Sequence, residues 1–449
     1  MQVSLSQLVE KHLPVVRVET VDAQEPTCEY VSAPAGAWGK SITNATKVPG
    51  RLRIYDRADT AWYDSGDAGM TIKIRGNTSA YKDKKPFKIK LGLAADLLQR
   101  GDSLLFDRNW ALITDESLKA LSGFSLSRIV GMTWTPASMY VNLVINNNFR
   151  GTYLLIETVR RDKKCRIRTD KSGILFEGDA YWWNNDVYIK SILDSHYGYT
   201  FKYPDPEDLT EDDLSRLTDY LHAFEQSLNG SNYTDYIDIP SFARWCLAQD
   251  LMGSYDSGGT NRYYMLHDST ADARVVMPCL WDFDSNEKNQ TTWSRCHTEH
   301  FTRLFTNSNQ AFVYEYLKKW FRLYPTLVEQ MQERFDEFSD TEQYQGLVST
   351  YGYNYARWGT ASDYGVMFSR RNAWYANRLP IMKGLVNTLR VPGDTDIDGV
   401  VDVSDINTIL NCLLGKSDDD IIPSACDLND DGVVDVADVN KAINAMLGM

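Results

Sequence analysis

The chain has 449 residues, 43% of them hydrophobic and 12% aromatic, which is enough to build a large core. Its formal net charge is −14 and it has no basic stripe of the kind that binds DNA or RNA, so nucleic acid is not an expected partner. It has no apolar run of membrane-spanning length, so no transmembrane segment is expected, and its beginning lacks the apolar core of a signal peptide.

Strand-like patterns dominate the first part of the chain. The predicted elements there are strands at 70–75 and 85–91, a helix at 116–131, and strands at 138–146 and 149–159. In the second of these strands apolar and charged residues alternate, so Lys88 and Lys90 share one face and the apolar side chains share the other.

Helical spacing predominates after Gly230. The predicted helices are at 241–252, 311–335 and 367–389. Because the strands come first and the helices later, the pattern predicts an α+β fold with two lobes.

One stretch in the middle of the chain holds the main candidates for chemistry. In chain order it contains Asp256, Asn261, a strand-like run at 262–266, a second run at 273–281, and Asp282-Phe283-Asp284. A hairpin made by the two runs would return Asp282 to the neighbourhood of Asp256 and Asn261. Such a group suits phosphoryl transfer, since oxygen ligands hold magnesium on nucleotide phosphates and a further carboxylate accepts the proton of the attacking hydroxyl. The alternative is that these residues only make turns, where Asp, Asn and Gly are common.

Several segments of this main part resemble the CotH kinase family (spore-coat protein H-like), whose members are secreted or surface atypical kinases. The resemblance runs over about 12–385 and rests on residues 72–91, 108–131, 141–159, 250–284 and 368–379. It implies a two-lobed atypical protein-kinase-like domain that uses ATP with magnesium or manganese and phosphorylates serine on a protein acceptor.

The same resemblance implies roles for the acidic residues of the middle stretch. Asp282 is the expected metal ligand, together with Asp284 of the same D-F-D block. Asp256 is expected to be the catalytic or second metal-binding aspartate, with Asn261 assisting.

The resemblance also implies a set of nucleotide-binding residues in the strand-rich part. A lysine should reach the phosphates, with Lys88 as the first choice and Lys90 as the fallback. Glu157 is the candidate acidic partner of that lysine, and Arg75 is expected to face the phosphates. The alternative for both lysines is the solvated face of a strand, and the alternative for Glu157 is a surface ion pair with Arg160 or Arg161.

Residues 391–449 differ sharply in composition, with 13 Asp, 2 Lys and no Glu, Trp, Tyr or Phe. They carry one acidic loop twice, and the two copies start 33 residues apart. The oxygen donors are Asp394, Asp396, Asp398, the carbonyl of Val400, Asp402 and Asp405 in the first loop, and Asp427, Asn429, Asp431, the carbonyl of Val433, Asp435 and Asp438 in the second. This spacing, with Gly at position 6, predicts two calcium sites, and two copies in register disfavour a merely solvated acidic tail.

Each loop leads into a segment with the spacing of an amphipathic helix. The duplicated loop–helix unit resembles a dockerin, a small all-α module that folds around calcium and binds a cohesin module on another protein. That resemblance implies a main domain at 1–390, a dockerin at 391–449, two bound calcium ions, a cohesin partner and a secreted or cell-surface location.

Two other functions remain compatible with the sequence. One is a kinase-shaped domain that no longer catalyses and serves as a structural or adhesion module of a cohesin–dockerin assembly, which the absence of a G-x-G-x-x-G motif favours. The other is a metal-dependent phosphoesterase or glycan-acting enzyme, which would bind a divalent metal without ATP.

Overall fold

The computed structural model describes residues 1–56, 60–162, 165–255, 262–270, 272–294, 298–359, 363–416, 418 and 420–448. The strands are β1 Val15–Thr20, β2 Glu29–Ser32, β3 Lys40–Thr43, β4 Val48–Tyr55, β5 Ala61–Asp64, β6 Met70–Ile74, β7 Phe87–Ala95, β8 Asp107–Ile113, β9 Ser138–Ile145, β10 Asn148–Glu157, β11 Ile174–Asp179, β12 Ile189–Lys190, β13 Gly198–Tyr203 and β14 Arg262–Leu266. The helices are α1 Leu5–Val9, α2 Lys119–Ile129, α3 Glu211–Ser227, α4 Ile239–Met252, α5 Glu299–Thr306, α6 Ala311–Leu323, α7 Leu327–Ser339, α8 Glu342–Trp358, α9 Tyr364–Asn387, α10 Val403–Leu413, α11 Pro423–Cys426 and α12 Val436–Met446.

Seven strands of the first part of the chain close into a ring. Strands β1, β9, β10, β8, β7, β6 and β4 pair in that order, and β1 also pairs with β4, while β5 extends outward from β4. Alternate residues of each strand point inward, so Ile72, Ile89 and Trp110 are fully buried in one core. The intervening residues, Lys73 and Lys88 among them, lie on the outer face of the ring.

A second, antiparallel sheet and most of the helices pack on one side of the ring. This sheet has the order β12-β13-β11-β14. Ala111 and Ile156 on the outer face of the ring share one large core with Phe176 of β11 and Trp245 of α4. Strands β11 and β14 are buried along their whole length, because they have the ring or helices on both sides. The predicted α+β class is confirmed.

Two sequence-predicted elements differ from the structure. The helix predicted at 311–335 is two helices, α6 and α7, because Pro325 lies between them and has no N–H to continue the helical hydrogen bonds. The strand predicted at 273–281 pairs only through isolated bridges at Val275 and Val276. Pro278 follows closely and has no N–H to donate to a neighbouring strand, which limits the ladder.

The C-terminal residues form a small helical unit around a short core. Ile409 of α10, Cys426 of α11 and Ala442 of α12 are buried together. Ile397 and Ile422 of the same unit are buried in the large core instead. Among the described residues, no helix combines the length and the apolar character that crossing a membrane requires.

Candidate functional site

Asp282 lies in a turn that is anchored by the residue after it. Phe283 is buried, and its ring meets Phe124 of α2 edge-on with the centroids 4.8 Å apart. A Cβ on Gly123 would lie 2.2 Å from that ring, so glycine allows α2 to come close. Asp282 itself has a φ of 62°, in the left-handed region that costs an L residue about 1 kcal/mol. The packing of Phe283 therefore holds Asp282 in a backbone conformation that it would not adopt on its own.

The acidic turn, residues 282–287, is also fastened by cations from two helices. Lys119 of α2 donates hydrogen bonds to two carbonyls of the turn, at 2.9 and 2.6 Å. Glu287 forms an ion pair with Arg371 of α9 at 2.6 Å. The carboxylate of Asp284 remains exposed to solvent and forms a long, equally exposed ion pair with Lys82, with Nζ and Oδ2 3.9 Å apart. The helices therefore fix the backbone of the turn and leave a carboxylate open.

The carboxylates of Asp282 and Asp284 interact directly. The side chain of Asp282 is partly exposed to solvent. The surrounding protein nevertheless removes part of its hydration, and the charge of Asp284 disfavours its ionised form, so the pKa of Asp282 is raised to about 7. Arg75 acts in the opposite direction, with its guanidinium 5.7 Å from the centroid of the Trp281 ring. Two carboxylates that disfavour each other's charge are suitable oxygen ligands for a divalent cation, so these residues fit magnesium or manganese.

Arg75 also belongs to a cationic patch on the outer face of the ring, made of Lys73, Arg75 and Lys88. Lys73 and Lys88 are direct neighbours across β6 and β7. Burial, followed by the charges of Lys73, Arg160 and other cations, lowers the pKa of Lys88 to about 8. Among the described residues no carboxylate forms an ion pair with Lys88. Cations held close together in this way are stabilised by an anion such as a phosphate.

A cavity of about 640 Å³ opens beside the cationic patch. It is lined by all three residues of the patch and also by Trp183 and Asn184. Its volume lies within the range of small-molecule sites. The combination of an indole ring with several cations suits a nucleotide, which offers both a flat base and charged phosphates.

Three residues of the second sheet were not anticipated from the sequence. Glu177 on β11 forms an ion pair with Lys202 on β13, with Oε2 and Nζ 2.7 Å apart. Burial and then the charge of Glu177 raise the pKa of Asp179 to about 6. Arg75 interacts electrostatically with both Glu177 and Asp282, so the cationic patch, the second sheet and the acidic turn adjoin one another, and we call the region between them the cleft. The available signal was two carboxylates inside a strand that is otherwise apolar, where charged residues are rare.

Glu157 does not pair with Lys88, so this predicted partnership is wrong. The strand registers set Glu157 opposite Trp110 and Trp110 opposite Ile89, which places Glu157 on the inward face of the ring. Lys88 lies on the outward face. The carboxylate of Glu157 is buried and forms an ion pair with Arg100 at 2.9 Å.

Lys90 shares the outer face with Lys88 but lies at a different groove. That groove has a volume of about 600 Å³ and is lined by Lys90, Arg108 and several glycines. The two predicted lysines are therefore separated by the structure, and only Lys88 lies in the cationic patch beside the acidic turn.

The predicted catalytic pair, Asp256 and Asn261, lies outside the described residues. The chain that leads into this segment is attached to the acidic turn. The hydroxyl oxygens of Ser254 and Ser285 are 3.1 Å apart, and the N–H of Tyr255 donates to the carbonyl of Ser285 at 3.2 Å.

The two C-terminal loops have matching hydrogen-bond patterns. The amide at position 6 donates to the carboxylate at position 1 in both, from Gly399 to Asp394 at 3.0 Å and from Gly432 to Asp427 at 2.9 Å. The carboxylates at position 12 are fully buried and accept backbone amides from the start of the loop and from position 9. The duplication in the sequence therefore corresponds to a duplication in geometry.

The first loop has the donors that a calcium ion requires. Carboxylate oxygens of Asp394, Asp396 and Asp398 lie within 4.8 Å of one another. One oxygen of Asp396 is buried and has no hydrogen-bond partner among the described residues, although such an atom is costly to leave unsatisfied. An oxygen-only set with an unsatisfied member fits a hard cation.

Comparison with protein families identifies a match for the main part of the chain. A family model described as CotH kinase protein matches residues 72–342, more than half of the chain. No curated protein matches the chain. The matched range contains the cationic patch, the second sheet and the acidic turn, and it ends before the C-terminal loops.

Proposed function

The chain belongs to the CotH kinase protein family, and from this we propose that it transfers the γ-phosphoryl group of ATP to a hydroxyl group, with serine on a protein as the expected acceptor. The observation that carries the proposal is the cleft in which Arg75 interacts with Asp282 of the acidic turn and with Lys88 of the cationic patch. Phosphoryl transfer is mostly positioning and charge neutralisation, and this cleft offers both kinds of group on elements fixed by packing.

Each wall of the cleft has a distinct proposed role. Lys73, Arg75 and Lys88 bind phosphate oxygens, which relieves the mutual repulsion of these cations. Asp282 and Asp284 hold magnesium or manganese, and the metal neutralises phosphate charge. Trp183 lines the same cavity as the patch, and a nucleobase can stack on its ring.

Asp256 and Asn261 keep the roles implied by the family. Asp256 accepts the proton of the attacking hydroxyl, or serves as a second metal ligand, and Asn261 assists it. The attachment of Ser254 and Tyr255 to the acidic turn supports this assignment, because it brings the preceding chain to the same turn as Asp282.

For residues 391–449 we propose a dockerin that holds two calcium ions and binds a cohesin module. Support comes from the matched loops and from apolar side chains left exposed at equivalent positions of the two repeats. These are Val400, Val403 and Leu414 in the first repeat and Val433, Val436 and Leu447 in the second. A repeated apolar surface suits a partner protein. Such an assembly places the protein outside the cell, secreted or at the cell surface, where calcium is abundant enough for weak oxygen-ligand sites.

Transfer of labelled phosphate from ATP, with magnesium or manganese, tests the kinase proposal. We expect self-labelling or labelling of a generic acceptor protein, and we expect Asp282→Ala to reduce it on the order of 100-fold. Asp268→Ala is a matched control, since Asp268 lies in an exposed turn and accepts hydrogen bonds from Thr270.

Nucleotide binding is measured on the same samples. Absence of both labelling and ATP binding in the wild-type protein would favour the non-catalytic structural module. Binding of a divalent metal without ATP would favour a phosphoesterase.

A further inference from the structure

The C-terminal loops lie against a defined surface of the main part of the chain. We call this surface the docking face. It consists of Tyr314 and Phe321 of α6 and Tyr324 just after α6, together with Lys383 in the last turns of α9 and Arg390 just after that helix. Three aromatic side chains and two cations are thereby presented to a highly acidic, aromatic-free unit.

The first loop contacts the docking face through the positions that give the loop its shape. Ile397, at position 4, has a φ of 58° and is buried in the large core. A β-branched residue is strained when its backbone is in the left-handed region. The hydrophobic stabilisation from burying the Ile397 side chain offsets this conformational strain. At position 6, a Cβ added to Gly399 would lie 1.9 Å from the hydroxyl of Tyr314. The turn of the loop therefore fits directly under this tyrosine.

A ligand residue of the first loop is itself tied to the docking face. Arg390 donates two hydrogen bonds to the carbonyl of Asp394, at 3.1 and 3.0 Å, and a further one to the carbonyl of Ala425. Its guanidinium lies 4.9 Å from the centroid of the Phe321 ring. The residue at position 1 of the calcium loop is thus positioned by a side chain of the main part of the chain.

The second loop and the helix before it add two contacts. Lys383 forms an ion pair with Asp430, at position 4 of the second loop, with Nζ and Oδ1 3.0 Å apart. The hydroxyl of Ser424 in α11 donates to the carbonyl of Phe321. Both calcium loops therefore contribute to one interface.

We propose that calcium binding and docking of the C-terminal unit are coupled, so that calcium fixes this unit rigidly on α6 and α9. This inference rests on the calcium sites of the proposed function. The same loop backbone has to be ordered for both events, since position 1 supplies a ligand, positions 4 and 6 shape the loop, and all three contact the docking face. The entropic cost of ordering this backbone is met once for calcium binding and docking together. By linkage, calcium binding therefore strengthens docking and docking strengthens calcium binding. With calcium bound, the C-terminal unit is held rigidly on the docking face. A cohesin bound to this unit then has a fixed orientation relative to the cleft.

The two loops provide a matched pair of substitutions for the test. Gly399 and Gly432 both occupy position 6, with φ values of 88° and 87°, so alanine strains both loops alike. A Cβ at Gly432 meets nothing within 4 Å, whereas one at Gly399 meets Tyr314. Gly399→Ala should therefore weaken docking both by a direct clash and through damage to its own loop, whereas Gly432→Ala should act on docking only through damage to its own loop.

The experiment uses the full chain, with calcium titration and amide hydrogen exchange at residues 311–323 and 380–390. In the wild-type protein, calcium should slow exchange in both segments. Gly399→Ala should abolish that slowing, and Gly432→Ala should reduce it less, because its effect on docking is only the indirect one through the second loop. In a Tyr314→Ala background the effect of Gly399→Ala should shrink, and Tyr314→Ala alone should weaken calcium binding about fivefold or more.

The outcomes separate this inference from the proposed function. Calcium binding that leaves exchange at 311–323 and 380–390 unchanged would overturn the coupling alone. Equal effects of the two glycine substitutions on these segments would do the same. A wild-type chain that binds no calcium would overturn both the calcium sites and the coupling.

Discussion

The C-terminal loops and the cleft at Asp282 both gather carboxylates, but they do so by different routes. The donors of the first loop all come from residues 394–405 and are held by hydrogen bonds within the loop. The groups of the cleft come from β6, β7, β11, β13 and the acidic turn. A loop site is encoded by adjacent residues, whereas a cleft site exists only after two sheets have packed together.

Selective removal of calcium should have the largest effect, and it should fall on one region only. With magnesium present and calcium chelated, we expect amides of α10 and α12 to lose protection and the proposed cohesin binding to disappear, because calcium loops of the proposed kind fold around their metal. Binding of ATP with magnesium should change less than about twofold, since the cleft shares no ligand with the loops.

Hydrogen exchange measures the protection of α10 and α12, a panel of cohesins measures cohesin binding, and titration measures ATP binding. Protection of α10 and α12 that survives chelation would contradict the calcium assignment. A parallel loss of ATP binding would show that the two regions are not independent.

Substitution of the two strand lysines should separate the cleft from the neighbouring groove. Lys88→Met should weaken ATP binding on the order of tenfold, because a charge-assisted contact to phosphate is lost. Lys90→Met should change it less than about twofold, since Lys90 lines another groove. Isothermal titration with ATP and with adenosine distinguishes the effects, because adenosine binding should not respond to Lys88→Met. The opposite order of the two lysines would move the phosphate site to the groove of Lys90.

The smallest expected effect on nucleotide binding is that of Glu157→Gln. This substitution should lower the free energy of unfolding by about 1–3 kcal/mol, since it weakens the buried contact with Arg100. ATP affinity should stay unchanged, because Glu157 lies on the inward face of the ring. Urea unfolding and ATP titration check both parts. A loss of ATP affinity at unchanged stability would restore the partnership with the phosphate-binding lysine.

The parts of the structure that the sequence predicts are those set by local pattern. The alternation in 85–91 places Lys88 outward and Ile89 inward, and helix α4 follows the apolar spacing of 241–252. The duplicated loops are equally local, and their hydrogen bonds repeat as their residues do.

The rest depends on registers between distant strands. The face of Glu157 is fixed through β8, which lies between β10 and β7, and no feature of the sequence sets those two registers. Glu177 and Lys202 meet because β11 pairs with β13, and their sheet adjoins the ring only through the large core. Long-range packing therefore assembles the second wall of the cleft, and the sequence alone does not predict it.

The ring of seven strands has a consequence for how the protein folds. Its parallel seam joins Val15 of β1 to Asn142 of β9, so the ring cannot close before the chain through β9 is available. Pairing between such distant residues is slow, because the entropy of closing the intervening loop has to be overcome first. Until then β1 and β9 are open edges, which are templates for pairing with other chains. Aggregation during refolding should therefore depend on how fast this seam forms, and substitutions that weaken the β1–β9 contact should lower the yield of refolded protein more than they lower its final stability.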